Sequence, residues 1–376
     1  MQRMTTFGFL VFMVFTAGRL LADDGAEHKT KQDPLSEFGV TGGNENHRSS
    51  IFCCGGTLGS LVTKNGISYI LSNNHILARS GSASLGEDII HPGLIDIGCN
   101  ASLATEVGDL SEAVALGSGA TTSDRVDAAI AAVRSGVGTT GHIRDIGLID
   151  PTPAAAALNM SVMKSGRTTG HTLGSVQAVN VSANVQYTRG CGFGKKFTIT
   201  YTNQISVTPG GFSAGGDSGS LIVSNNPSSC TQPVGLLFAG SSTVTLANPI
   251  NKVSARLGGI QFVGGGQRSD CPLQTSTAST ESQLFGPSPA AVDHARTVKE
   301  RHEPDVLAIP GILGIGVGAA DDNPAEAVIV LYVQTGRAIP EAISDRLDGL
   351  RMKVITTEPF VAYGNKKWGD NSCSEK

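Results

Sequence analysis

The chain predicts a mainly β protein of sandwich or barrel type, and three observations carry that reading. Glycine supplies 48 of the 376 residues, about twice its usual share. Charged residues make up 16%, where an average globular chain has roughly 25%. Short β-branched runs recur between Gly, Ser and Asn, the pattern of short strands joined by tight turns. The length allows two or three domains, each able to bury a core. Net charge is −4, with no basic block, which argues against nucleic acid as the main partner. Only one long apolar run exists, at the N-terminus, so a transporter or channel is not expected.

Arg3 precedes that run, Phe7 to Ala17. It has the length of a secretory signal core and is too short to span a bilayer. Residues 1–22 therefore read as a signal peptide, cleaved after Gly18 or Ala22, and the protein as secreted or periplasmic, with no other membrane association. Residues 23–50 are polar and read as leader or linker. Strands are expected at Gly59–Thr63, Ser68–Ser72, Ser161–Lys164, Gly174–Ser182, Lys196–Ser206, Ser220–Ser224, Pro233–Ala239 and Ile260–Val263. They place a β body over 51–263, with a crossover between halves near 140–160, where Pro151–Ala157 lies.

Residues 264–291 open on three glycines and continue in Ser, Thr, Pro and Ala, a linker composition. The texture then changes to a helix over Val292–Leu307, strands at Ile312–Val317 and Ala327–Val333, a helix over Pro340–Leu347 and a strand at Met352–Thr356. Residues 292–376 thus read as a small α+β domain, serving as an interaction or autoinhibitory module. Gly314-x-Gly316-x-Gly318 is not a dinucleotide fingerprint, because a turn and not a helix follows it.

Cysteines stand at 53, 54, 99, 191, 230, 271 and 373. None has the C-x-x-C spacing of a structural zinc site. In an oxidising compartment they allow three disulfides and one thiol. Spacing does not fix the connectivity; the working expectation pairs Cys53 or Cys54 with Cys99, Cys191 with Cys230, and Cys271 with Cys373.

The strongest chemical signal is Gly216-Asp217-Ser218-Gly219-Ser220, followed by the apolar run Leu221–Val223. A hydroxyl on a glycine-flanked turn projects its oxygen while the turn's N–H groups point the same way, as a tetrahedral oxyanion requires. Serine is a weak nucleophile without a base to take its proton. Ser72-Asn73-Asn74-His75 offers an imidazole at a strand end, and Val126-Asp127-Ala128-Ala129-Ile130 sets an acid in an apolar stretch. A buried carboxylate needs a partner, and an imidazole N–H meets that need while fixing the base's tautomer. Asp109 and Asp124 are alternative acids, and an alanine-rich helix over Ser123–Arg134 is an alternative setting for Asp127. His91, His142 and His171 read as loop residues. Arg167 reads as a turn residue, with substrate contact as the alternative.

These residues bring a resemblance into view. The order His75, Asp127, Ser218 resembles that of trypsin-like serine proteases, as do Cys54-Gly55-Gly56-Thr57-Leu58, Asp127-Ala128-Ala129-Ile130 and Gly216-Asp217-Ser218-Gly219. Gly56–Gly59, Leu71–His75, Lys164–Gly170 and Gly235–Gly240 are similar to bacterial relatives of the plant NARROW LEAF family. The resemblance covers about residues 51–263. It implies two six-stranded barrels with the site between them, His75 and Asp127 from the first barrel and Ser218 from the second. It also implies an oxyanion hole from the Gly216 and Ser218 amides, and substrate contacts at Phe212, Phe238, Ala239 and Gly240. A serine endopeptidase acting on polypeptide, with no metal or organic cofactor, is the function implied. A catalytically weak binding or scaffold protein is the alternative. Without an Ile-Val-Gly-Gly terminus before Ile51, Asp217 lacks the ion-pair partner it has in digestive relatives, and no zymogen step is expected. Phe212 stands where an acid would select Lys or Arg substrates, so such a preference is not expected.

Overall fold

The computed structural model describes residues 25–119, 121–138, 140–192, 194–226, 231–265, 286–337 and 346–362. The expected signal peptide, most of the 264–291 linker, Cys230, Cys271 and Cys373 lie outside them.

The first sheet has eight strands among the described residues. They are β1 (Val40–Asn44), β2 (Gly56–Leu58), β3 (Ser60–Lys64), β4 (Ile67–Ser72), β5 (Asp88–His91), β6 (Thr105–Ala113), β7 (Ala129–Val133) and, far along the chain, β14 (Gln261–Phe262). Their order is β14-β3-β4-β7-β6-β5-β1-β2. Residues 25–50 are not a bare leader. Gly and Asn there mask a strand: β1 is buried throughout and pairs with β2 and β5. His28 is also wholly buried, its Nε2 3.0 Å from the Ser165 hydroxyl.

Among the described residues of 134–160 only isolated bridges at Ile143 form, and the second sheet follows. It contains β8 (Ser161–Gly166), β9 (Gly170–Thr188), β10 (Lys196–Thr208), β11 (Leu221–Ser224), β12 (Pro233–Gly240) and β13 (Thr245–Pro249). The strands β9 and β10 form one long hairpin that reaches Thr188↔Lys196. After β13, helix α2 (Ile250–Arg256) returns the chain to the first sheet at β14. This return stitches the two bodies together: Leu221, Val223, Leu236, Ile250 and Val253 share one core with Leu61, Ile70, Ile76 and Ile130.

The C-terminal segment has the helix-and-strand texture its sequence indicates. Helix α3 (Pro289–Leu307) begins at a Ser288 cap with Pro at its first position, a favoured start. Next come β15 (Ile312–Ala319), β16 (Ala327–Gln334), β17 (Arg346–Leu347), β18 (Leu350–Thr357) and β19 (Val361–Ala362). Of the helix expected over Pro340–Leu347, only Arg346 and Leu347 are described, and they are strand. The sheet of this segment is continuous with the second body, since β15 pairs antiparallel with β9. Glycines at 314, 316 and 318 permit that approach; a Cβ on Gly314 would sit 2.7 Å from the Ser182 carbonyl. With these strands the second sheet reaches eleven. Among the described residues no helix is long and apolar enough to cross a membrane.

Among the described residues two disulfides are formed, Cys53–Cys99 and Cys54–Cys191. The first is one of the expected pairs. The second replaces the expected Cys191–Cys230, because the β9–β10 hairpin folds its tip onto the first sheet. Gly192 lies there against the Phe52 ring, which a Cβ would meet at 2.3 Å.

Candidate active site

His75 sits on α1 (Asn74–Leu77), a single turn directly after β4. The asparagines before it tie that turn down: Asn73 Nδ2 donates to the Asp127 carbonyl at 2.7 Å and Asn74 Nδ2 to the Val114 carbonyl at 2.8 Å. Asp127 lies in the extended segment just before β7 and is wholly buried. Its environment is therefore not the polar face of a helix. The neighbouring 3₁₀ turn ends at Asp124, whose carboxylate caps Thr121. Asp109 is taken by Arg134.

The structure thus brings Asp127 to His75. The Asp127 Oδ2 to His75 Nδ1 distance is 2.6 Å, and the His75 backbone N–H donates to Oδ1 at 3.2 Å. A carboxylate only accepts, so Nδ1 carries a proton, and in the neutral ring Nε2 is then the acceptor. Nε2 is buried and has no hydrogen-bond partner among the described residues. The second body completes the acid's surroundings. Tyr187 on β9 donates its hydroxyl to Asp127 Oδ2 at 2.9 Å and lies 2.7 Å from the Tyr201 hydroxyl. Burial, and then the Asp127 charge, push the Tyr187 hydroxyl well above the ordinary 10, so it stays a donor. Asn248 on β13 accepts the Asp127 backbone N–H at 2.9 Å. The Tyr187 ring also stands edge-on to the His75 ring, centroids 6.0 Å apart. Neither Tyr187 nor Asn248 was singled out by sequence; a lone tyrosine in a strand carries no signal of what its hydroxyl reaches.

Ser218 is wholly buried on the turn between Asp217 and β11. Its hydroxyl donates to the Phe238 carbonyl at 3.2 Å, not to His75. The turn is held from three sides. Thr57 on β2 donates its N–H to the Ser218 carbonyl at 2.8 Å and its hydroxyl to the Gly216 carbonyl at 3.0 Å. Gly59 lets this strand approach, since a Cβ would lie 2.0 Å from the Gly219 carbonyl. Gly216 has φ +101°, and a Cβ there would meet Thr168 Oγ1 at 2.4 Å and the Arg167 guanidinium at 2.6 Å. Neither the Gly216 nor the Ser218 N–H donates a hydrogen bond to another described residue. Both residues are buried.

Asp217, for which no terminal partner was expected, is satisfied within the fold. It accepts the Thr168 and Ala214 N–H groups at 2.8 and 2.9 Å and the Thr169 hydroxyl at 2.8 Å, with Lys164 Nζ 3.7 Å away. Arg167 is a buried turn residue. Its guanidinium forks onto Asp96 at 2.7 and 2.5 Å, clamping the two bodies together beneath the Ser218 turn. Phe212, expected as a substrate contact, is wholly buried and packs among Val162, Val176 and Val207 in the second core. Phe238, Ala239 and Gly240 lie on β12 beside Ser218. His91 is buried between the Thr41 carbonyl and the Gln32 N–H and so is spent on packing the first body, while His142 faces Glu37. A second buried histidine lies near His75: burial, with the nearby His75 adding to it, lowers His47 to about 4.

The family model for the Nal1 C-terminal domain matches residues 113–248, in line with the resemblance to the NARROW LEAF family. Among solved structures, the chain is similar to a glutamic-acid-specific serine protease at 21% identity and TM-score 0.40, covering 60% of this chain and 98% of that one. It is similar to Thermobifida fusca protease A at 20% and 0.39, covering 61% of this chain and 100% of that one. It is also similar to the Cellulomonas bogoriensis chymotrypsin at 18% and 0.38, covering 61% and 98%. No curated protein sequence matches the chain. The fold itself is mainly β, built on two sheets.

Proposed function

We propose that the protein is a serine endopeptidase that cleaves polypeptides through an acyl-enzyme. The observation that carries this is the buried Asp127–His75 pair at 2.6 Å, with Nε2 left free to accept a proton. In this reading the Ser218 hydroxyl leaves Phe238 O and turns to that nitrogen; such contacts commonly tighten only with substrate bound. Oγ attacks the peptide carbonyl carbon as its proton passes to Nε2. The carbonyl oxygen gains the charge and is held by the Gly216 and Ser218 N–H groups, each worth about 3 kcal/mol in the transition state. The Nε2 proton then goes to the leaving amine, giving the acyl-enzyme ester. Water, deprotonated by His75, hydrolyses that ester and restores Ser218. Asp127 holds the tautomer throughout. No step calls on a metal or organic cofactor. The two disulfides support folding in an oxidising compartment, in keeping with a secreted or periplasmic protein.

The Ser218 hydroxyl bond to Phe238 O and the closed site favour one second reading, a protease-like binding protein with little turnover. Peptide hydrolysis by the purified chain decides between them. The endopeptidase reading expects cleavage of an unfolded protein substrate that Ser218→Ala and His75→Ala each abolish while the variants stay folded. Equal cleavage by folded Ser218→Ala overturns it, and no cleavage by any of the three supports the binding protein.

A further inference from the structure

The strand β12 has two edges, and the one beside Ser218 is shared three ways. β13 covers the opposite edge from Gly235 to Gly240. On the Ser218 side, β11 pairs only as far as Leu236. The Ser218 turn takes the next stretch, through Gly219 N–H to Leu237 O at 2.9 Å and the Ser218 hydroxyl to Phe238 O. The last stretch is taken by the C-terminal segment: β19 pairs antiparallel as Ala239↔Ala362 and Gly240↔Val361. The segment therefore runs toward Ser218. It is fastened on its other side as well, where Val361 pairs with Gln186 and the Gln186 N–H donates to Phe360 O at 2.9 Å. Phe360 is wholly buried, edge-on to Tyr332 with centroids 5.5 Å apart, and Ala362 is 4% exposed.

An extended peptide that adds to a strand edge draws affinity from main-chain hydrogen bonds and selectivity from alternate side chains. The Ser218 hydroxyl bond to Phe238 O sets Ser218 against this edge of β12, so a peptide added to the edge next to Phe238 lies beside Ser218. We infer that Phe360–Ala362 is an intramolecular ligand of the substrate edge, bound as an extended peptide, which has to leave β12 before a polypeptide from outside enters. This rests on the endopeptidase reading and adds to it the occupant that regulates the site. It also names the peptide class the edge accepts: extended and apolar, as Val361 and Ala362 are.

The test uses the full chain carrying Ala362→Asp, which sets an unpartnered carboxylate at a buried position unless the segment leaves. Hydrogen exchange should speed up at residues 239–240 and 360–362. A fluorophosphonate probe should label Ser218 about tenfold faster or more, because the competent fraction rises. A synthetic peptide of residues 358–362 should return labelling to the unsubstituted rate. Val361→Pro, which removes an amide from the segment, replaces Ala362→Asp if the latter fails to fold, with the same outcomes. Faster exchange with unchanged, Ser218-dependent labelling overturns this inference and leaves the endopeptidase reading standing. If neither chain labels, that reading fails, and fluorescence anisotropy of the labelled peptide decides the inference alone. Binding to the variant but not to the unsubstituted chain supports occupancy; no binding to either overturns it.

Discussion

Tyr187 makes the most exposed prediction, because nothing in the sequence marks it and the geometry gives it one task. Its hydroxyl donates to a carboxylate that is wholly buried and already holds the His75 ring and backbone. Tyr187→Phe deletes that donor without changing ring packing against His75 or Phe197. A hydrogen bond to a charged group is worth about 1.5–3 kcal/mol. If the loss falls on the imidazolium-stabilising transition state, kcat drops about 10- to 150-fold. KM should move little, since Tyr187 is buried and acts through the acid. Steady-state hydrolysis of a chromogenic peptide, read as separate kcat and KM, measures this. Tyr201→Phe, one hydroxyl further out, should cost less. An undiminished kcat for folded Tyr187→Phe, or an equal loss from Tyr201→Phe, refutes the assignment of Tyr187 as the positioning residue.

Two further predictions concern stability. Arg167→Met leaves the Asp96 carboxylate with the Thr41 hydroxyl but no counter-charge, so denaturant unfolding should show a loss of about 3–5 kcal/mol, with part of it regained in Arg167→Met combined with Asp96→Asn; an unchanged midpoint contradicts the clamp. His47, lowered by burial from its ordinary 6.5 to about 4, favours the neutral form when folded. Between those values the unfolded chain binds more protons, so stability is complete above about pH 6.5 and falls as pH drops toward 4, by about 3 kcal/mol in all. Thermal melts across that range should show this fall, and His47→Leu should flatten it; identical pH profiles refute it.

Much of the fold and of the candidate site is legible in the sequence, for a physical reason that also sets the limit. Runs such as Ser68–Ser72 and Lys196–Ser206 announce themselves because β-branched residues sit between turn formers. Ser218, His75 and Asp127 stand out because a glycine turn, a strand-end imidazole and an acid in an apolar stretch each need explaining. Non-local choices leave no such mark. β1 is hidden because Gly42 and Gly43 look like loop yet admit close strand packing. Cys191 has partners of equal chemistry, and only the length of the β9–β10 hairpin delivers it to Cys54. Phe212 matches a pocket position by offset from Ser218, while its burial depends on Val162 and Val176, distant in sequence. The place of the C-terminal strands follows from edge pairing, which composition does not encode.

The central claim is that Ser218 is a nucleophile activated by His75. Peptide-mapping mass spectrometry after treatment with diisopropyl fluorophosphate reads it directly. One phosphoryl adduct is expected, on Ser218, absent from folded His75→Ala; an unmodified Ser218 in the native chain, or an adduct that forms equally well without His75, contradicts a His75-activated Ser218.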